Sequence, residues 1–321
     1  MDIYRDYFTR EELVRTLAQA EFQPGMLGAD KIFEVVPLGA TTFGIEVTAK
    51  DGKKTLTAIA RGAPRQQTKL DPDAVKTFVT QTFGDEGTVY ADEVLNARGR
   101  GTVAVKALIE DRRARLVTKL RGVMDTTHEL LRMNAILSPG TTEFGAQGTE
   151  QTILLGTDTT KTRQEIFNKI TKPVETALDG ISYKGIRVYC SDGFWAELIE
   201  NKQIKDTYNN WQAAADLRNG LVKPFTFGDV EWVRYRGSSA IAVTASKAVV
   251  VPQGVDGFGF MGFAPNDTVE SVGQGGLGEP YFLGAKELTD SQGTKGWEIS
   301  IQSHPKVVVG RPAATFLVKL T

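Results

Sequence analysis

Leu116-Val117-Thr118-Lys119-Leu120-Arg121-Gly122-Val123 sits in the middle of residues 102–137, the longest helical pattern of the chain. Leu116, Leu120, Val123, Leu130 and Leu137 recur at spacings of four, three, seven and seven, which lays one apolar stripe along a helix. Thr127 and Asn134 fill the two remaining places in that stripe. Asp111 and Arg115, four residues apart, add a helix-supporting ion pair. A helix over 102–137 would be about 54 Å long at about 1.5 Å per residue. That exceeds the reach of an ordinary domain core and suits an elongated molecule. Ser138-Pro139-Gly140 ends the pattern, and Gly122 invites a bend or a close backbone approach.

Toward the N-terminus, Thr9 and Glu12 make a capping-box pattern for a helix running to about Ala20, before Pro24-Gly25. Lys31 to Val36 reads as a short strand ended by Pro37. From Phe43 to Val89 the chain reads as a long β-ribbon, with Asp51-Gly52 as a hairpin-turn signal. Its polar stretch, Arg61 to Asp73, carries Arg61, Arg65 and Lys69. Such a length with few large apolar groups reads as an arm protruding from the body.

Beyond the long helix the pattern is mixed. Thr152 to Leu155 is a strand, and Arg163 to Leu178 is a helix interrupted near Pro173. Gly185 to Cys190 is a strand, and Ser191 to Trp195 starts another helix. Phe225 to Arg236 and Lys247 to Val251 are strands, Val255 to Gly278 is a Gly-rich loop, and Glu298 to Gln302 and Thr315 to Leu320 close as strands. Strands and helices are segregated rather than alternating as βαβ units, so the fold class is α+β.

Composition narrows the function. The 321 residues make about two domains at roughly 150 residues each. Thirty-eight Lys and Arg against 39 Asp and Glu leave a net charge of −1, which disfavours a dedicated nucleic-acid binder. No apolar run approaches the roughly 20 residues of a membrane span, and Met1 to Asp6 has no signal-peptide character. One cysteine (Cys190) and two histidines (His128, His304) exclude an intrachain disulfide and Cys₄ or Cys₂His₂ zinc sites. Such cysteine usage fits a reducing cytoplasm.

Gly257-Phe258-Gly259-Phe260-Met261-Gly262 and Gly273-Gln274-Gly275-Gly276-Leu277-Gly278 both match the G-x-G-x-x-G template. A dinucleotide site needs a helix to open there, because the pyrophosphate rests on its N-terminal amides. Pro265 and more glycines follow instead, so both matches reflect composition. There is no G-x-x-x-x-G-K-[ST] and no G-x-S-x-G. His128 faces solvent or a neighbouring element, His304 could meet a Ser and an Asp only through the fold, and Cys190 reads as a buried inert thiol. Asp92 with Glu93, Glu110 with Asp111, and Asp71 with Asp73 read as solvated carboxylates. No catalytic, cofactor or metal residue is assigned. The distinctive charge feature is Arg98, Arg100, Lys106, Arg112, Arg113, Arg115, Lys119 and Arg121 against Glu110 and Asp111, eight minus two or +6. It suits an anionic partner, either nucleic acid or an acidic surface on another copy, as well as a solvated helix face.

The order of parts, together with several stretches, resembles the major capsid protein of tailed bacteriophages, and specifically the major capsid protein E family of lambda-like phages. The stretches are Lys31 to Asp92, Arg112-Arg113-Ala114-Arg115, Ser182-Tyr183-Lys184-Gly185 and Phe227-Gly228-Asp229-Val230-Glu231-Trp232-Val233. The ending, Trp297 to Val307 followed by Arg311-Pro312 and the strand to Leu320, is the strongest.

The resemblance implies a Hong Kong-type fold, shared with encapsulin shells. Residues 1–42 would be an N-terminal arm and 43–88 an extended E-loop. Residues 89–178 and 286–321 would be the peripheral domain with its spine helix, and 179–285 the axial domain. It further implies pentamers and hexamers of an icosahedral head around double-stranded DNA contacted non-specifically. A separate scaffolding protein, a portal protein and a decoration or cement protein would be partners, without a membrane, and assembly would occur in the bacterial host cytoplasm. Intersubunit contacts would involve Arg61, Arg65, Lys69, Arg98, Arg100, Arg112, Arg113 and Arg115. Two other readings are a cytosolic nucleotide-binding enzyme using the 255–278 loop, and a tail-tube virion protein.

Overall fold

A computed structural model describes residues 8–19, 25–47, 74–93, 105–138, 144–154, 162–209, 224–237, 241–268, 277–291 and 293–320. They fall into two units of dense internal packing. The first comprises residues up to 42, 79–131 and 261–307, and the second 43–78, 132–260 and 308–321.

The first unit centres on an antiparallel sheet ordered β11 (Phe282–Asp290), β12 (Gly293–Ser303), β4 (Phe83–Tyr90). Ile299 and Ile301 of β12 point to the face covered by the long helix α3 (Val105–Leu137), where they meet Ile109, Val117, Leu120 and Met124. Ile299 pairs with Gly87 in β4, and a Cβ at Gly87 would stand 2.5 Å from Leu116 Cδ1. The helix therefore lies on the sheet only because residue 87 has no side chain. The helix α1 (Arg10–Gln19) buries Leu13 in the same core, and Phe8 stacks on Trp297 at 4.8 Å. A short helix α2 (Met26–Ala29) buries Leu27.

The 33 residues of α3 bear out one long helix, but its buried face is not the stripe expected from the leucines. Ile109, Arg113, Val117, Leu120, Met124, His128, Met133 and Ile136 are buried, whereas Val123 is 45% exposed and Asn134 is exposed. Of the five residues in the expected stripe only Leu120 is fully buried. The reason is that the inward face accepts charged and polar side chains with built-in partners, so following apolar residues alone rotates the stripe out of phase.

A three-stranded sheet orders β1 (Glu34–Pro37), β10 (Gly259–Phe263) and β13 (Pro305–Val309). The strand β10 corrects the expectation of a loop throughout 255–278. Met261 and Phe263 are buried, and residue 262 must be glycine because a Cβ there would lie 2.8 Å from Leu38 Cδ1.

The second unit is built on a six-stranded sheet ordered β5 (Gln151–Ile153), β14 (Phe316–Leu320), β9 (Lys247–Gln253), β6 (Gly185–Cys190), β8 (Val230–Arg234), β7 (Phe225–Phe227). The β14–β5 and β6–β8 pairs are parallel, and the β14–β9, β6–β9 and β7–β8 pairs are antiparallel. Val188 to Cys190 and Ala248 to Val251 are buried as continuous runs, as expected of strands covered on both faces. The single strand expected over 225–236 is in fact β7 and β8, because Gly228 (φ 66°) and Asp229 (φ 63°) both take the left-handed conformation of a two-residue hairpin turn.

The interruption expected near Pro173 is a π-helical turn, Phe167–Thr171, between α4 (Thr162–Ile166) and α5 (Lys172–Leu178). Proline has no N–H to give to the preceding turn. The ladder widens there, with Lys172 N–H donating to Phe167 O five residues back. Two further helices, α6 (Asp192–Glu200) and α7 (Lys202–Asn209), follow β6; Ser191 Oγ caps α6 by accepting Phe194 N–H at 3.4 Å. The ribbon starts as the paired strands β2 (Thr42–Val47) and β3 (Ala74–Val79). Its remaining part, with Arg61, Arg65 and Lys69, lies outside the described residues, as do Arg98 and Arg100.

Candidate functional site

The basic start of α3 places its three described candidate arginines in different settings. Arg112 is half-exposed, with Nη1 4.0 Å from the Glu93 carboxylate. Arg115 is 74% exposed and its Nε donates to Asp111 Oδ1 at 3.0 Å. Exposed pairs of this kind contribute about 0–1 kcal/mol, so either cation can exchange its partner at little cost. Arg113 differs: its side chain is only 8% exposed and lies 3.6 Å from Glu12 of α1. That pair engages it inside the first unit.

Further along the same helix runs a buried polar seam that the leucine pattern conceals. Arg121 Nη1 donates to Leu17 O at 2.7 Å, and its guanidinium lies 5.7 Å from the centre of the Tyr281 ring. Asp125 accepts the Tyr281 hydroxyl and sits 3.8 Å from Arg121 Nε. Glu129 accepts the backbone N–H groups of Leu27 at 2.8 Å and Gly28 at 3.1 Å. The spacing of Arg113, Val117, Arg121, Asp125 and Glu129, each four apart, was the available signal for this face.

His128 is buried rather than solvent-facing. Its Nε2 lies 2.9 Å from Ser303 Oγ, and its ring packs 5.3 Å from Phe263 and 5.5 Å from Tyr281. A Ser–His hydrogen bond is the arrangement that activates a nucleophile. Here Ser303 is 0% and His128 2% exposed, so the pair is sealed from any substrate and acts as packing. His304 meets Thr82 Oγ1 through Nδ1 at 2.9 Å and Asn266 Oδ1 through Nε2 at 3.4 Å. Burial pulls its pKa below the usual histidine value, against the opposing charge of Asp267. Cys190 is buried, and burial pushes its thiol well up, which matches an inert core residue.

The first G-x-G-x-x-G match is resolved by the strand that contains it. Gly257 (φ 63°) lies in a turn and Gly259 opens β10, so a strand and no helix follows. Gly273, Gly275 and Gly276 of the second match lie outside the described residues. Among the described residues, no helix is long and apolar enough to cross a membrane.

In the second unit, Lys247 and Lys319 are register partners on β9 and β14, a like-charge pair. Glu150 relieves it, with Oε2 accepting Lys247 Nζ at 2.6 Å and Oε1 3.5 Å from Lys319 Nζ. The hydrogen bond from Lys247 is the main cause that holds the Glu150 carboxyl below its ordinary range.

Residues 9–320 match the sequence profile of the family described as Phage major capsid protein E. The chain belongs to that family. Solved structures agree on the fold. A phage-related protein from Bordetella bronchiseptica RB50 is 13% identical with a TM-score of 0.57, covering 97% of each chain. The putative capsid protein of a prophage of E. coli CFT073 is 14% identical with a TM-score of 0.55, covering 97% of this chain and 99% of that one. The mature capsid of bacteriophage PhiM1 is 12% identical with a TM-score of 0.54, covering 94% and 88%. No curated protein matches in sequence.

The fold is thus the Hong Kong-type capsid fold, α+β as the sequence implied. Family membership makes the chain a structural major capsid protein of the virion that associates with its own copies into a shell. Neither the nucleotide-binding enzyme nor the tail-tube reading finds support in it.

Proposed function

We propose that this chain is the repeating subunit of an icosahedral head, set in pentamers and hexamers around double-stranded DNA. The family match over residues 9–320 carries the reading. Residues 43–88 then serve as the E-loop over a neighbouring subunit, 89–178 and 286–321 as the peripheral domain, 179–285 as the axial domain and 1–42 as the arm. One sequence must fit both pentamer and hexamer surroundings, which favours exchangeable surface contacts over fixed ones. Arg112 and Arg115 have that character, and Arg61, Arg65, Lys69, Arg98 and Arg100 are the other cations proposed to pair with adjacent subunits. A net charge of −1 lets many copies crowd together without mutual repulsion, and packaged DNA is contacted non-specifically.

Assembly takes place in the bacterial host cytoplasm with a separate scaffolding protein, a portal protein at one vertex and a cement protein outside. Negative-stain images and light scattering of the purified chain, alone and with the scaffolding protein, test the reading. Closed shells or ring-shaped capsomers are expected. Tubes, or a small globule that binds nucleotide, would overturn it.

A further inference from the structure

The strands β2 and β3 form a sheet of two, and a two-stranded ribbon is marginal in water without packing from outside. β3 nevertheless buries Phe78 to 2% exposure, while Thr77 and Val79 on either side of it are exposed. Phe43 of β2 stacks on Phe78 with ring centroids 5.5 Å apart. A second stacking partner comes from outside the ribbon. Phe144 lies 5.7 Å from Phe78 and within 3° of parallel to it. Lys76, two residues before Phe78 and so on the same face of β3, holds Nζ 5.2 Å from the centre of the Phe144 ring. Phe144 is itself mounted on the second unit. Gly145 (φ 105°) turns the chain beside it in a conformation open to glycine. Gln147 Nε2 then donates to Ile136 O at 3.1 Å, and Gly148 N–H donates to Thr315 O at 3.1 Å.

We propose that Phe144 is the positioning residue of the ribbon, the contact that sets the direction in which β2 and β3 leave the second unit. The proposal rests on the E-loop reading of residues 43–88 and names what aims that loop. Hydrogen bonds between β2 and β3 hold the strands to each other and leave the pair free to swing as one body. A stacked ring pair is directional, because the aromatic quadrupole favours offset-parallel and edge-on arrangements over others. Phe78 and Lys76, consecutive positions on one face of β3, both meet the Phe144 ring, which resists tilt as well as sliding of the strand. Phe43 brings β2 into the same stack. The three rings and the lysine all belong to the second unit. An angular error at the root of a loop is amplified in proportion to the loop's reach. An aimed root therefore matters more to a contact with an adjacent copy than to the fold of the subunit itself.

Hydrogen exchange of the full chain, before any scaffolding protein is added, tests the contact. In Phe144→Ala the amides of Lys76 to Phe78 are expected to exchange about tenfold faster, while those of β6 and β9 in the six-stranded sheet keep their protection. Phe144→Tyr keeps the ring and is expected to retain the protection of β3. Phe144→Leu keeps apolar volume without a ring face and is expected to loosen β3 as Phe144→Ala does. Unchanged exchange of β3 in Phe144→Ala, or full protection in Phe144→Leu, would overturn the contact as an aromatic positioning device. Negative-stain images of the same proteins with the scaffolding protein then test its role. Phe144→Ala is expected to give open or irregular particles and Phe144→Tyr to give closed shells. Closed shells of ordinary size from a Phe144→Ala chain with loosened β3 would overturn the positioning role. An unsubstituted chain that forms neither shells nor capsomers would instead sink the E-loop reading, with the exchange result still deciding the contact.

Discussion

The Glu129 carboxylate on α3 receives the backbone N–H of Leu27 at 2.8 Å, and with Gly28 at 3.1 Å it caps the first turn of α2 from another element. A four-residue helix cannot sustain itself, so α2 exists because the long helix supplies its acceptor. Residue 25 must be glycine for the same reason, since a Cβ there would fall 2.1 Å from Glu129 Cδ. Hydrogen bonds to a charged group contribute about 1.5–3 kcal/mol, so Glu129→Ala is expected to cost that much, and Glu129→Gln less. Denaturant unfolding of the two variants checks the order. Equal stability of Glu129→Ala and the unsubstituted chain would show the cap to be inert.

Leu116 rests over Gly87, so the contact between α3 and β4 is set by an absent side chain. Gly87→Ala forces the two apart, and overpacking of this kind costs about 1–3 kcal/mol. Leu116→Ala makes room, so the double variant is expected to be more stable than Gly87→Ala alone. A double-mutant cycle read by thermal unfolding measures this, and a purely additive result would contradict the packing account.

Local signals made part of this legible in the sequence, and long-range partners hid the rest. The helix expected over 102–137 is Val105–Leu137, and the strand expected at Gly185 to Cys190 is β6 with those bounds. Both follow from periodicity or β-branched runs within one element. The buried face of α3 was missed because Arg113, Asp125, His128 and Glu129 are held by Glu12, Tyr281, Ser303 and α2, residues far away in sequence. Strand β10 was missed because Gly259 and Gly262 look like loop residues until Leu38 is placed against Gly262. The arginines of the basic helix were legible as a charge run, but only the ion pair with Glu12 distinguishes Arg113 from Arg112 and Arg115.

Glu150 bridges Lys247 and Lys319, so its charge matters to the β9–β14 pairing. Its folded pKa is lowered, chiefly by the Lys247 hydrogen bond, so the carboxylate's contribution is complete above the ordinary glutamate value of about 4.3. It is lost as the pH falls from there through the lowered folded value. The site is a third exposed, so the effect is under about 1 kcal/mol. Thermal unfolding of Glu150→Gln against the unsubstituted chain is expected to show a small deficit at pH 7 that shrinks as the pH falls below the ordinary glutamate value of about 4.3. A deficit independent of pH would assign the effect to packing.

The two kinds of arginine predict two kinds of defect. Arg61 and Arg65 lie in the polar sequence stretch Arg61 to Asp73 and are proposed to pair with acidic residues of adjacent subunits. Arg61→Glu or Arg65→Glu is then expected to block shell assembly while the subunit unfolds at its usual temperature. Arg113→Glu places a second carboxylate beside Glu12 in a nearly buried position. Arg113 is nearly enclosed but Glu12 is partly solvated, so the cost is below that of breaking a fully buried pair, about 1–3 kcal/mol, and this variant loses stability before assembly is at issue. Particle counts by negative stain and unfolding of the same preparations separate the two outcomes. Normal particles from Arg61→Glu and Arg65→Glu would remove the ribbon arginines from the intersubunit contacts.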